Sequence, residues 1–170
     1  MTFKYSFYLI MLYAGFAVCS PSWGALTNTN IQNACSYLDD SGLGTRGWQR
    51  SGDSNFYASS PYKEIGPGSS QSNYSAYIAY YIDGNVNKAE KLTLVLNVNN
   101  KAAVEAAHAE LLKAAGVLAR KALGAELPAV ISQAIVQGRS AQAKVGNTSI
   151  ELIRSDWSTD MGYNLMLIFK

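Results

Sequence analysis

The sequence predicts an α+β domain in which one face of an antiparallel sheet of four to six strands packs against a long helix. Three observations carry this. An alanine- and leucine-rich amphipathic stretch covers residues 100–123, two period-two segments precede it, and further period-two segments follow it. The expected order is β-β-α-α-β-β, with a short N-terminal helix over about 29–41 placed before it.

The long helix is the clearest element. In KAAVEAAHAELLKAAGVLARKAL, residues 101–123, one stripe holds Val104, Ala107, Leu111, Ala115, Leu118 and Ala122, while Glu110, Lys113, Arg120 and Lys121 lie opposite. Asn99 and Asn100 are suited to cap its first turn. His108, the one histidine of the chain, falls on the apolar stripe. A metal site needs several ligands, and no cysteine or second histidine is available to join it, so it reads as a core-edge residue with Glu105 within pairing reach. Gly124 ends this helix, and Pro128 begins a shorter one over about 128–138, where Leu127, Val130, Ile131, Ala134 and Ile135 keep helical spacing.

The strands show as alternation. Tyr74 to Ile82 and Leu92 to Val98 flank an Asp83-Gly84-Asn85 turn and read as an antiparallel hairpin. After the helices, a piece ending at Val145, a Gly146-Asn147 turn, Thr148 to Arg154 and Tyr163 to Phe169 return to period two. Near the start, Ile31, Ala34, Cys35 and Leu38 mark the N-terminal helix, with Gly42 beyond its end.

Residues 1–24 have another purpose. The uncharged run Tyr5 to Val18, followed by small and polar residues, has the build of a cleaved export signal, with a cut near Gly24. A retained anchor or lipid attachment at Cys19 fits less well, because Pro21 breaks the run and Val18 is bulky for a lipid-attachment signal. The remaining single domain, residues 25–170, is then periplasmic or secreted and not inserted in a membrane once the signal is removed. Cys35 is left without an intramolecular disulfide partner. It reads as a small buried hydrophobe.

Residues 42–73 are dense in Gly, Ser, Asn and Pro and read as a loop with one or two short strands. Interleaved in it are Arg46, Trp48, Arg50, Phe56, Tyr57 and Tyr62, the composition favoured where proteins meet. With Tyr77 and Tyr81 on the outward face of the first predicted strand, these are the candidate binding residues. The same aromatics also suit the margin of a core, Trp48 above all.

Chemistry is harder to find. Residues 42–47 fit G-x-G-x-x-G, but they close a helix where a dinucleotide fingerprint opens one. Ser60 to Lys63 fit S-x-x-K, yet Gly66, Pro67 and Gly68 deny it the helix it needs, and no K-T-G follows. The carboxylates Asp39, Asp40, Asp53, Glu64, Asp83, Glu151, Asp156 and Asp160 lie mainly at turns, with Asp156 beside Trp157 the best-placed loop candidate. No catalytic residue, metal ligand or cofactor site is assigned. A net charge of +2 with scattered basic residues excludes a nucleic-acid footprint. The expected function is a small exported bacterial-type binding protein, inhibitor- or immunity-like, that recognises another protein through its aromatic and arginine loop. Two alternatives stand beside it: a hydrolase of an envelope or extracellular polymer using carboxylates gathered by the fold, and an accessory subunit of an envelope or secretion assembly, which calls for an exposed apolar patch or an unpaired edge strand.

Overall fold

The computed structural model describes residues 26–52, 54–66, 75–99, 103–158 and 162–170. The expected export segment, Asp53, the stretch 67–74, residues 100–102 and Asp160 lie outside them. Its centre is the expected hairpin, β4 (Ala76–Gly84) and β5 (Ala89–Val98), beside β8 (Tyr163–Phe169) and β7 (Thr148–Asp156). β-Branched, leucine and tyrosine side chains alternate along these strands, and register converts the alternation into two faces. Ile82, Leu92, Phe169 and Ile150 are cross-strand neighbours in one row, and Ile78, Leu96 and Leu165 in another. All are fully buried. Each such side chain contributes about 1.5–3 kcal/mol relative to exposure.

The helices lie over that row. α2 (Val104–Leu123) buries Ala107, Leu111, Ala114, Ala115, Leu118, Ala119 and Ala122, a face whose small side chains allow a close approach to the leucines of the sheet. Arg120 and Lys121 in its last turn suit the negative end of the helix dipole. α3 (Ala129–Gln137) adds Ile131, Ala134 and Ile135. α1 (Ile31–Ser36) is capped by Asn30, whose side chain accepts from the Asn33 amide, and a 3-10 turn follows at Asp39–Ser41. Buried Tyr80 ties α1 to the sheet by donating to the Ala34 carbonyl at 3.1 Å.

Two expectations need correction. The sheet has eight strands, not four to six, in the order β1-β2-β4-β5-β8-β7-β6, with β3 also on β4. The extra strands come from what was expected to be mostly loop: β1 (Gln49–Ser51), β2 (Asn55–Ser59) and β3 (Lys63–Ile65) pair into the β4 side of the sheet. Each is five residues or fewer, so none is long enough to show a period, and their Gly, Ser and Asn neighbours resemble loop. On the other side β6 (Ala141–Val145) is a full strand, so three strands follow the helices rather than two.

β2 and β3 are one strand interrupted. Both run along the same edge of β4, where Ser59 faces Tyr81 and Lys63 faces Ile78. Three residues, Ser60 to Tyr62, therefore oppose two, Ala79 and Tyr80. Pro61 cannot donate to the ladder, and the chain bulges around it. Ser60 mends the break: its amide donates to the Tyr80 carbonyl, and its hydroxyl accepts from the Tyr80 amide, both at 2.9 Å. Gly124 and Gly138 close α2 and α3 as expected. Two other helix ends differ. α2 starts after Ala103 with no side-chain cap, while Asn99 donates to the Ser75 carbonyl. The N-terminal helix expected over about 29–41 ends at Ser36, with only a 3-10 turn at Asp39–Ser41.

Candidate functional site

One side of this sheet carries α1, α2 and α3; among the described residues, no element covers the other. Tyr57, Tyr77 and Tyr81 all point to that open face, because residues of odd number on β2 and β4 alternate away from buried Ala58, Ile78 and Ile82. The bulge at Pro61 brings Tyr62 to the same group. Tyr81 donates to the Tyr62 hydroxyl at 3.1 Å, and the Tyr62 and Tyr77 rings meet edge to face at 6.4 Å. Tyr57 donates to Gln49 Oε1 at 3.1 Å. The tyrosines are large enough to shelter their own strand: Ala79, between Tyr77 and Tyr81, is 0% exposed although it lies on the uncovered face.

Beside them is a groove of about 550 Å³, lined among others by Ser51, Asn55, Tyr57, Tyr81, Asp83 and Lys91. Asp83 and Lys91 are cross-strand partners joined at 2.9 Å. Gly84 permits the bulge at this corner, since a Cβ there would run into the Lys88 carbonyl. Burial, and after it the hydrogen bond to Tyr62, pushes the Tyr81 hydroxyl up to about 12. It stays protonated and able to donate at neutral pH. Tyr62, 59% exposed, and Tyr57, 37% exposed, offer the ring area.

The remaining candidates fall elsewhere. Trp48 and Phe56 stack at 6.1 Å with an interplanar angle of 13°, on the helix side of the β1–β2 hairpin. Trp48 packs against the core, and its Nε1 has no acceptor among the described residues. Arg50 lies on that side as well and bonds the Gly52 carbonyl at 3.0 Å. Arg46 is exposed, its amide held by the Ser59 carbonyl. The fold thus brings Tyr57, Tyr62, Tyr77 and Tyr81 together and turns Trp48, Arg50 and Phe56 to the opposite face. Strand alternation in β1 and β2 makes that separation.

A second cluster joins α2, α3, β7 and β8. His108 is buried, with Nδ1 3.1 Å from the Val136 carbonyl and Nε2 2.7 Å from the Tyr163 hydroxyl. Its two ring nitrogens are taken up by these groups, and Glu105, expected within pairing reach, is exposed. Arg154 lies over the Tyr163 ring at 3.9 Å and donates to the Gly138 carbonyl at 2.7 Å and to Asp156 at 2.6 and 2.8 Å. The Arg154 hydrogen bond holds the Asp156 carboxyl below its usual range, and burial raises the Tyr163 phenol. Gly138, at φ 61°, is where these groups converge: a Cβ there would meet His108 Cε1 at 2.9 Å. Each polar group in the cluster is matched, which suits a structural clasp.

No known protein family, curated protein or solved structure matches this chain. Its chemistry is therefore read from its own groups. Asp83, Glu151 and Asp156 are each engaged by a cation within 3.0 Å, and Glu64 bonds Ser75. Ser60, the serine of the S-x-x-K match, is buried and holds the sheet break. Its lysine, Lys63, reaches under α2 to Glu110 at 2.6 Å and to the Ser41 carbonyl at 2.8 Å. No group of three or more His, Cys, Asp or Glu residues suited to a metal occurs among the described residues. The tyrosine corner was half visible in sequence, through Tyr77 and Tyr81. The Asp83–Lys91 pair carries no local signal of its own, though both residues flank a readable turn.

Proposed function

We propose that this protein is an exported binding module that engages another protein through the tyrosine corner of its open sheet face. One observation supports it above others: Tyr62, Tyr77 and Tyr81, from the Pro61 bulge and β4, meet on a face that no described element covers, and Tyr57 of β2 lines the groove of about 550 Å³ beside them. Tyrosine offers a large contact area with few rotors to freeze, and its hydroxyl can be satisfied by a partner, so it dominates many recognition surfaces. The residues that ring the groove hold both donors and acceptors, which suits a peptide surface. Export rests on the build of residues 1–24, and an inhibitor- or immunity-like role is the specific form this proposal takes.

The test is capture of a partner from the periplasm or culture fluid, followed by affinity measurement with variants. Tyr57→Ser and Tyr62→Ser together should weaken Kd about tenfold or more, the scale of a hot-spot residue. Trp48→Phe, on the opposite face, should not. Folded open-face variants that bind as tightly as the native chain would count against the proposal. A second reading, the accessory subunit of an envelope assembly, draws support from one feature: β6 is an unpaired edge among the described residues. Loss of the same partner on blocking β6, with the tyrosine variants silent, would favour it.

A further inference from the structure

The sheet ends in different ways at its two sides. On the β1–β3 side the edge is cut into three-residue pieces by the Gly52 turn and Pro61, devices that blunt an edge. On the far side β6 is bounded by β7 alone among the described residues. It contains no proline or bulge, and its single charge is Lys144.

The register fixes where its free backbone groups point. Val145 and Thr148 close the two-residue Gly146-Asn147 turn, so they form a hydrogen-bonded pair, and such pairs alternate along an antiparallel ladder. Ser149, opposite Lys144, already exchanges amide and carbonyl with Lys170 at 2.7 and 3.0 Å on its other side. Lys144 therefore turns its own N–H and C=O away from the sheet. By the same alternation, so does Gln142.

We infer that β6 pairs with β6 of a second copy of this chain, antiparallel and centred on Ala143, so that two eight-stranded sheets become one continuous sheet. In this register Gln142 faces Lys144 of the second copy, and the two outward N–H groups of each copy find the two outward carbonyls of the other. Lysine meets glutamine rather than lysine, which avoids the penalty of like charges placed opposite one another. Ala143 meets its own counterpart, and Ala141 meets Val145 of the second copy. A two-fold contact requires such self-complementarity. The apolar layer supports it too. Ala141, Ala143 and Val145 pack on the core yet remain half-exposed, and α3 rests on β6. A second copy at this edge carries the layer onward.

Sedimentation equilibrium of the purified protein from micromolar to millimolar concentration tests the inference. The native chain should show a monomer–dimer equilibrium. Lys144→Pro removes an N–H that β7 does not use, so the variant should keep its circular dichroism and remain a monomer. Gln142→Glu should tighten the dimer and Gln142→Lys loosen it, each by roughly two- to thirtyfold, because the change is felt at two cross-strand pairs. Protection of the Gln142 and Lys144 amides from hydrogen exchange should rise with concentration. A native chain that stays monomeric, including one whose edge takes a strand from another protein instead, overturns the inference. So does a dimer that survives Lys144→Pro or ignores the charge at position 142.

Discussion

Tyr163→Phe removes one oxygen from the clasp that joins the helices to the end of the sheet. The carbonyl of Val136 can only accept, so His108 Nδ1, 3.1 Å away, carries a proton, and in the neutral imidazole Nε2 then accepts from the Tyr163 hydroxyl at 2.7 Å. Phenylalanine keeps the ring and its place under Arg154 at 3.9 Å. What it leaves is an unpartnered nitrogen on a residue only 6% exposed. A buried polar atom stripped of its partner costs about 1–3 kcal/mol. For a domain of this size each kcal/mol lowers Tm by about 2–4 °C, so a fall of roughly 2–12 °C is expected. Thermal and urea unfolding followed by circular dichroism, with equal m-values, would measure it. Pairing the change with His108→Leu in a double-mutant cycle should yield a coupling of about 0.5–3 kcal/mol. A Tyr163→Phe variant within about 0.5 kcal/mol of the native chain, the range of ordinary surface changes, would refute the reasoning.

Two further outcomes follow from the same geometry. Ser60→Ala deprives the buried Tyr80 amide of its acceptor at the β2–β3 break, and should cost about 1–3 kcal/mol in urea unfolding while leaving the fold unchanged by circular dichroism. Tyr80, Tyr81 and Tyr163 all have folded-state values raised above the ordinary tyrosine range, chiefly by burial, Tyr81 to about 12. Their neutral forms are thus favoured by folding. Stability from this source is whole below pH ~10, where an unfolded tyrosine begins to ionise, and is lost as pH rises toward about 12. Unfolding midpoints across that window, with phenolate absorbance, should show the loss; a flat profile would contradict the burial of these rings.

What could be read from the sequence followed period and length. α2 is long and strongly patterned, so its register, its buried alanines and its glycine stop were visible. The β4–β5 hairpin and β8 alternate for seven residues or more, and they too were legible. Of β1, β2 and β3, only one or two short strands somewhere in 42–73 were legible; their positions were not, because strands of three to five residues carry too few positions to reveal a period, and their pairing is set by β4 across the sheet. The same limit divides the candidate site. Tyr77 and Tyr81 sit on a readable strand, and their shared face was evident. Tyr62 joins them only through the Pro61 bulge, and Trp48 and Phe56 leave them only through the alternation of strands too short to detect. His108 was placed correctly at the core edge. Its partner Tyr163, 55 residues away in sequence, could come only from the fold.

The broken strand at Pro61 has a consequence for assembly. A sheet with two open edges can grow without limit, one copy adding to the next as in a fibre. Here the opposite side offers only β1 and β3, each three residues long and set apart by the bulge. Pairing at β6 uses the five-residue edge of both copies and leaves, among the described residues, only three-residue segments at the other side. The Gly52 turn and Pro61 together thereby make assembly through strands self-terminating, stopping at two copies where an unbroken edge would have invited aggregation.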